Sequence, residues 1–323
     1  QKSDWRVAED YRLKAAVPTI SLCLEHAAQV IIMGHLGRPA STRVERGEPK
    51  GEDMDLSVAP IYNWLTNNGF SDELKNGKLK LLENLRFERG ESFDSAQDKG
   101  MVLEYAKELA SLGDIYINEA FAAHHSAAST TVLPTLLPHA AGLRFAKEVE
   151  KLTNFKKNIQ KPSIAIIGGA KIEDKYQVIV SLAKLVDKVL VGGLLPELID
   201  QQELKLPDNV FLGKLNDEGN DLSIVSLAVF LEIIEDAKQV IWAGPVGKYE
   251  EPAGNHGNIM LVHTIIDKNI EAVIGGGDTI SASAQLGLLE QMEESANIFI
   301  SVGGGAMLKF LAEGTLPTIE ALN

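Results

Sequence analysis

Ser163-Ile164-Ala165-Ile166-Ile167-Gly168-Gly169, Lys188-Val189-Leu190-Val191-Gly192-Gly193, Val240-Ile241-Trp242-Ala243-Gly244-Pro245, Ala272-Val273-Ile274-Gly275-Gly276-Gly277 and Ile298-Phe299-Ile300-Ser301-Val302-Gly303-Gly304-Gly305 share one plan, a short apolar run that stops at glycine. Such runs, apolar throughout rather than alternating, read as strands buried on both faces, as in a parallel sheet. Helical patterns over Tyr176–Leu185, Leu222–Ala237 and Ile259–Lys268 separate them. That alternation gives a doubly wound sheet. Each glycine turn then falls at the carboxyl end of a strand, the edge where such sheets bind ligands.

The first half repeats the plan with Gln29-Val30-Ile31-Ile32-Met33-Gly34, Lys80-Leu81-Leu82-Glu83-Asn84-Leu85 and Asp114-Ile115-Tyr116-Ile117-Asn118, between helices expected around residues 12–27, 57–67 and 101–111. The expected fold is therefore α/β, with two doubly wound, Rossmann-like parallel-sheet domains joined by a hinge helix. Arg144 to Gln160 is charged and helix-prone up to the Lys161-Pro162 break, and supplies that bridge. The expected organisation is an N-terminal domain over 1–145, an interdomain helix over 146–160, a C-terminal domain over 161–305 and a terminal segment over 306–323 that returns towards the N-terminal domain.

With 323 residues, 45% of them hydrophobic, the chain can build two cores. A net charge of −14 argues against sequence-independent binding of nucleic acid, which needs a broad basic surface. No apolar run approaches the roughly 18 to 20 residues of a membrane span, and the N-terminus lacks a signal-peptide layout. The single cysteine, Cys23, is expected buried on a helix and cannot form an internal disulfide. A cytoplasmic protein is expected. The chain opens on Gln1 rather than Met, which suggests an absent upstream segment.

Charge divides the halves. All eight arginines fall at or before Arg144. Arginine's rigid fork suits carboxylates and phosphates, so the first half is the candidate home of an anionic substrate. In the second half, Lys171 and Lys175 follow Gly168-Gly169, Glu250 follows Gly247, and Asp278 follows Gly277. A row of glycine turns at helix N-termini can cradle a polyphosphate, and these side chains suit phosphoryl transfer, which needs positioning, charge neutralisation and a metal. Asp278 and Thr279 could stand near Mg²⁺; Asp278 could equally cap the following helix. Trp242 reads as core. No GxxxxGK[ST] loop is present, and no GxGxxG follows a predicted strand.

Six segments in order resemble the phosphoglycerate kinase family: Gly34-His35-Leu36-Gly37-Arg38-Pro39, Leu81-Leu82-Glu83-Asn84-Leu85-Arg86-Phe87, Gly168-Gly169-Ala170-Lys171, Trp242-Ala243-Gly244-Pro245-Val246-Gly247, Gly275-Gly276-Gly277-Asp278-Thr279 and Gly303-Gly304-Gly305-Ala306. The similarity runs from about Ala8 to the end. It implies a glycolytic kinase that moves a phosphoryl group between 1,3-bisphosphoglycerate and ADP, yielding 3-phosphoglycerate and ATP, with Mg²⁺, hinge closure and a monomeric state. By resemblance, Arg12 contacts the transferring phosphoryl group and the substrate carboxylate, and His35, Gly37, Arg38, Arg86 and His125 contact the phosphoglycerate. Lys171 faces the transferring group, with the Gly303-Gly304-Gly305 turn, chiefly Gly304 and Gly305, offering backbone N–H groups. Gly169, Lys175, Gly193, Gly244, Glu250, Gly276, Gly277, Asp278 and Thr279 hold the nucleotide, and Asp278 the metal. His35 could instead satisfy a core hydrogen bond, and Glu251 could replace Glu250 by a register shift.

The chain also departs from the family. An Arg-Val-Asp-Phe-Asn first strand would lie before Gln1, so the first sheet is expected to be short of a strand. Where the family has His-Arg-x-His, the chain has His124-His125-Ser126-Ala127-Ala128. A gapless alignment puts Ser126 at the arginine position, and a shift of one puts His125 there. Ala243 replaces an asparagine, and Leu194 to Leu222 is shortened, with a strand and a helix expected to be missing. A catalytically impaired nucleotide-binding relative is the alternative reading.

Overall fold

The computed structural model describes residues 7, 9–37, 56–93, 99–173 and 175–323. It separates into two compact units, one formed by Gln1–Lys147 with Leu316–Asn323, the other by Glu148–Thr315.

In the first unit, α1 (Tyr11–His26) leads into β1 (Val30–Ile32), followed by α2 (Ala59–Leu65), α3 (Ser71–Lys75) and β2 (Leu79–Leu81). After them come α4 (Lys99–Ala110), β3 (Tyr116–Asn118), β4 (His139–Ala141) and α5 (Leu143–Lys157), which runs across the division. Among the described residues the strands form two parallel pairs, β1 with β2 and β3 with β4, rather than one sheet. Leu24, Leu65, Phe70 and Leu79 form one core cluster, and Leu85, Leu109, Tyr116 and Leu133 another, against which Leu322 packs.

Two expectations are corrected here. The strand expected over Lys80–Leu85 stops at Leu81, because Asn84 starts a 3₁₀ turn over Leu85–Phe87 by accepting a bond from Arg86 N. Cys23 lies on α1 as expected but is only half-buried; burial, then the charge of Glu119, raises its thiol pKa.

The second unit is a six-stranded, all-parallel sheet in the order β10-β9-β8-β5-β6-β7. Its strands are β5 (Ser163–Ile167), β6 (Lys188–Val191), β7 (Val210–Leu212), β8 (Gln239–Ala243), β9 (Glu271–Gly275) and β10 (Ile298–Ser301). Between and after them run α6 (Tyr176–Leu182), α7 (Leu195–Gln201), α8 (Ile224–Glu235), α9 (His256–Asp267), α10 (Gly277–Gln285), α11 (Leu289–Glu294), α12 (Gly304–Glu313) and α13 (Pro317–Glu320), the last belonging to the first unit. Every residue of β5 and β8 is buried, as a strand covered on both faces requires. Trp242 is core, 1% exposed, and donates its indole N–H to Gly244 O. The Leu194–Leu222 stretch retains a helix, α7, and an edge strand, β7.

Candidate functional site

Strand order locates the site. β5 is followed on one side by β6 and β7, while the chain returns to its other side for β8, β9 and β10. The order reverses between β5 and β8, and ligands bind in the crevice outside the carboxyl ends at such a switch point. A cleft of about 220 Å³ opens there, lined by Gly169, Ala170, Gly193, Leu194, Leu215, Gly219, Asn220, Pro245, Gly247, Lys248, Tyr249, Glu250 and Asp278.

The glycines at this edge let turns from neighbouring strands touch. Gly244 has φ +94°, and a Cβ there would lie 2.1 Å from Gly168 O; one on Gly304 would lie 2.5 Å from Gly276 Cα. Thr279, buried, accepts from Gly244 N at 2.8 Å and donates to Gly275 O at 3.1 Å. Its hydroxyl ties the end of β8 to α10 rather than facing the cleft. Asp278 does not cap α10: Gly276 takes the cap position, and Asp278 sits exposed in the first turn. Gly cedes the cap side chain because its φ of +116° suits the tight exit from β9.

Of the residues expected on the nucleotide side, the cleft gathers Gly169, Gly193, Glu250 and Asp278; Gly244, Gly276, Gly277, Thr279, Lys171 and Lys175 are not in its lining. Glu250 rather than Glu251 lines it, and Glu251 pairs with Lys248 at 3.9 Å. Lys171 is exposed just after the turn that ends β5, and Lys175 stands at the cap of α6. Gly304 and Gly305 open α12, the first buried and the second exposed.

The sequence reading missed Asn220, Lys248 and Tyr249. Asn220 O accepts from Lys248 N at 2.7 Å, and Gln285 Nε2 donates to Tyr249 O at 3.2 Å, so the Lys248-Tyr249 turn is clamped from two sides. Burial, the charges of Glu250 and Asp278, and a hydrogen bond to Glu250 raise the Tyr249 hydroxyl pKa. No motif marked these residues, because the turn gains its place from contacts made far along the chain.

In the first unit, a buried amide assembles the loops after β1 and β2. Asn84 Oδ1 accepts from Leu36 N at 3.1 Å and Arg86 N at 3.2 Å, and its Nδ2 donates to Leu36 O at 2.6 Å and Leu56 O at 3.1 Å. Arg86 Nη1 donates to Gly37 O, so Arg86 and Gly37 are held together. His35 Nε2 lies 2.6 Å from Glu91 Oε1. Glu91, 1% exposed, also accepts from Ser129 Oγ at 2.5 Å. The carboxylate thereby links His35 to the turn that follows His124 and His125, whose rings lie 4.1 Å apart. Arg12 is exposed in the first turn of α1. Arg38 lies outside the described residues.

Each unit thus gathers loops at one end of its strands, and the second is a doubly wound α/β unit with its cleft at the switch point. A sequence model described as phosphoglycerate kinase matches residues 1–205 and 200–314. A phosphoglycerate kinase of Herpetosiphon aurantiacus is 35% identical over 375 residues, covering 98% of this chain and 92% of that protein. One from Haemophilus influenzae is 32% identical, covering 99% and 92%. The solved phosphoglycerate kinase of Coxiella burnetii superposes with a TM-score of 0.69 at 26% identity, covering 100% of this chain and 93% of that one. The enzyme of Pyrococcus horikoshii, at 24% identity and a TM-score of 0.77, shares the fold. This chain belongs to the phosphoglycerate kinase family. The family model meets this chain in two pieces that overlap over residues 200–205, inside the stretch read as shortened.

Proposed function

We propose that this chain transfers a phosphoryl group between 1,3-bisphosphoglycerate and ADP, forming 3-phosphoglycerate and ATP. The observation that carries the reading is the cleft at the β5/β8 switch point, with Gly169, Gly193, Glu250 and Asp278 in its wall, in a chain of this family. The second unit binds the nucleotide: Glu250 accepts from the ribose hydroxyls, the glycine turns and Lys175 hold the phosphates, and Lys171 faces the transferring group. The first unit binds the phosphoglycerate through Arg12, His35, Gly37, Arg38, Arg86 and His125. Gly304 and Gly305 offer backbone N–H groups to charge that develops on the phosphoryl oxygens.

Magnesium fits this donor set. Among the described residues no group of three or more His, Cys, Asp or Glu side chains could hold a metal ion. Mg²⁺ commonly enters with substrate phosphates and keeps several waters, needing one or two protein carboxylates. Asp278 supplies one at the cleft, and the ion would neutralise phosphate charge there. Bringing the two substrates together requires hinge closure. Among the described residues no helix is long and apolar enough to cross a membrane; a monomeric cytoplasmic enzyme completes the reading.

A coupled assay of phosphoryl transfer from ATP to 3-phosphoglycerate tests it. Mg²⁺-dependent turnover is expected, and its loss on chelation. Turnover that ignores 3-phosphoglycerate would overturn the substrate assignment.

A further inference from the structure

Asn220 stands in the cleft wall at 7% exposure, in a turn that the family motifs do not mark. The turn is closed by Asn216, whose Oδ1 accepts from the N–H groups of Asn220 and Asp221 at 3.1 and 3.4 Å. Asn216 is thereby left with Nδ2 as its donor, which bonds Asn220 Oδ1 at 2.9 Å. Asn220 O in turn accepts from Lys248 N at 2.7 Å. The buried Asp221 anchors the same turn to α9 by accepting from Gly257 N at 2.9 Å. Backbone N, backbone O and Oδ1 of Asn220 are therefore all committed, and its amide cannot flip without breaking the bond to Asn216. Among the described residues, Nδ2 alone has no partner. We propose that Asn220 is a specificity-determining residue for the base of the nucleotide: its Nδ2 donates to an acceptor in the plane of the ring.

The inference rests on the nucleotide reading of the cleft and deepens it. An amide nitrogen carries two donors, and a largely buried donor without a bond costs free energy that an acceptor on a ligand recovers. The parts of a nucleotide divide by chemistry. Sugar hydroxyls can donate and suit the Glu250 carboxylate, while phosphates are anions and suit glycine turns at helix N-termini. The base is a flat ring with acceptors at its edge. It suits a wall where Leu194, Leu215 and Pro245 accompany one neutral donor. Because Asn216 and Asp221 fix the turn, that donor is set before the nucleotide arrives, and little side-chain freedom is lost on binding.

The test is calorimetric titration of the full chain with ADP and with its 1-deaza, 3-deaza and 7-deaza analogues, each of which replaces one ring acceptor by C–H. The wild type is expected to bind one of the three about fivefold more weakly than ADP, the scale of one neutral hydrogen bond. Asn220→Ala should narrow that gap to within about twofold, chiefly by weakening ADP. Asn220→Asp keeps the acceptor for Asn216 and removes the donor, so it should narrow the gap likewise, and its added charge acts on all four nucleotides alike. It decides the matter if Asn220→Ala does not fold. Equal binding of all four nucleotides by the wild type overturns the base contact while leaving the nucleotide site in place. A gap that persists in Asn220→Asp also overturns it, since another group then reads the base. A wild type that binds none of the four overturns the nucleotide reading and this inference with it.

Discussion

The two units reach the same end, a row of loops at the carboxyl ends of strands, by different means. In the second, six strands pair into one sheet, and that edge is held largely by backbone against backbone: Gly168 against Gly244, Gly276 against Gly304. In the first, the strands among the described residues are three residues long and form two separate pairs, and the edge is held by single polar side chains. Asn84 spends all of its bonds on the loops around it, and Glu91 joins His35 to Ser129. Glu119 takes the N–H groups of Arg144 and Phe145, both at 3.1 Å, and so starts α5. A continuous sheet can fix its loops through the main chain; an interrupted one relies on side-chain hubs, and each hub is a point of failure.

The largest test of that difference is Gly304→Ala. Its new methyl would meet Gly276 Cα at 2.5 Å, backbone that cannot step aside. Overpacking of this kind should cost about 3 kcal/mol, read by urea unfolding, and should weaken ADP far more than 3-phosphoglycerate. Asn84→Ala should show the reciprocal pattern. It strips partners from Leu36 and Leu56, should cost about 2 kcal/mol, and should raise the KM for 3-phosphoglycerate while nucleotide affinity holds. If Asn84→Ala weakened both ligands equally, the side-chain hub would not be local to one unit.

The smallest effect sharpens the picture of the second unit. Asp187 accepts from Lys161 Nζ at 2.9 Å and from Ser163 N at 2.8 Å, pinning the start of β5, and the Lys161 bond leads the causes that lower its pKa below 3.8. A carboxylate with a depressed folded-state pKa stabilises the fold above its ordinary value, and that contribution is lost as pH falls through the depressed one. Asp187→Asn should therefore cost at most about 1 kcal/mol near neutral pH, because Lys161 is exposed. The gap between variant and wild type should close in acid; a gap that persisted there would remove charge as its cause.

The sequence revealed the second unit more fully than the first for the same physical reason. The central strands β5 and β8 are five residues long and buried throughout, so their apolar runs and terminal glycines are plain in the sequence. His139–Ala141 forms β4 with no branched residue, and Val210–Leu212 forms β7 in three residues; neither pattern separates a strand from a loop. Gly169, Gly193, Glu250 and Asp278, all expected on the nucleotide side, do meet in one cleft. Thr279 lies in a motif but serves the core, and Tyr249 lies in none but faces the cleft. Spacing along the chain records which residues travel together, whereas the clamp from Asn220 and Gln285 is a matter of tertiary contact.

The central claim, that this chain carries out phosphoryl transfer, is tested most directly by the coupled assay with ATP, 3-phosphoglycerate and Mg²⁺, run on the wild type beside Lys171→Ala and Arg12→Ala. The account predicts turnover in the wild type and a loss of about 100-fold in kcat for each variant, larger than any change in ground-state binding, because their contacts strengthen in the transition state. A wild type that binds MgADP yet shows no turnover, or either variant at the wild-type rate, would contradict it.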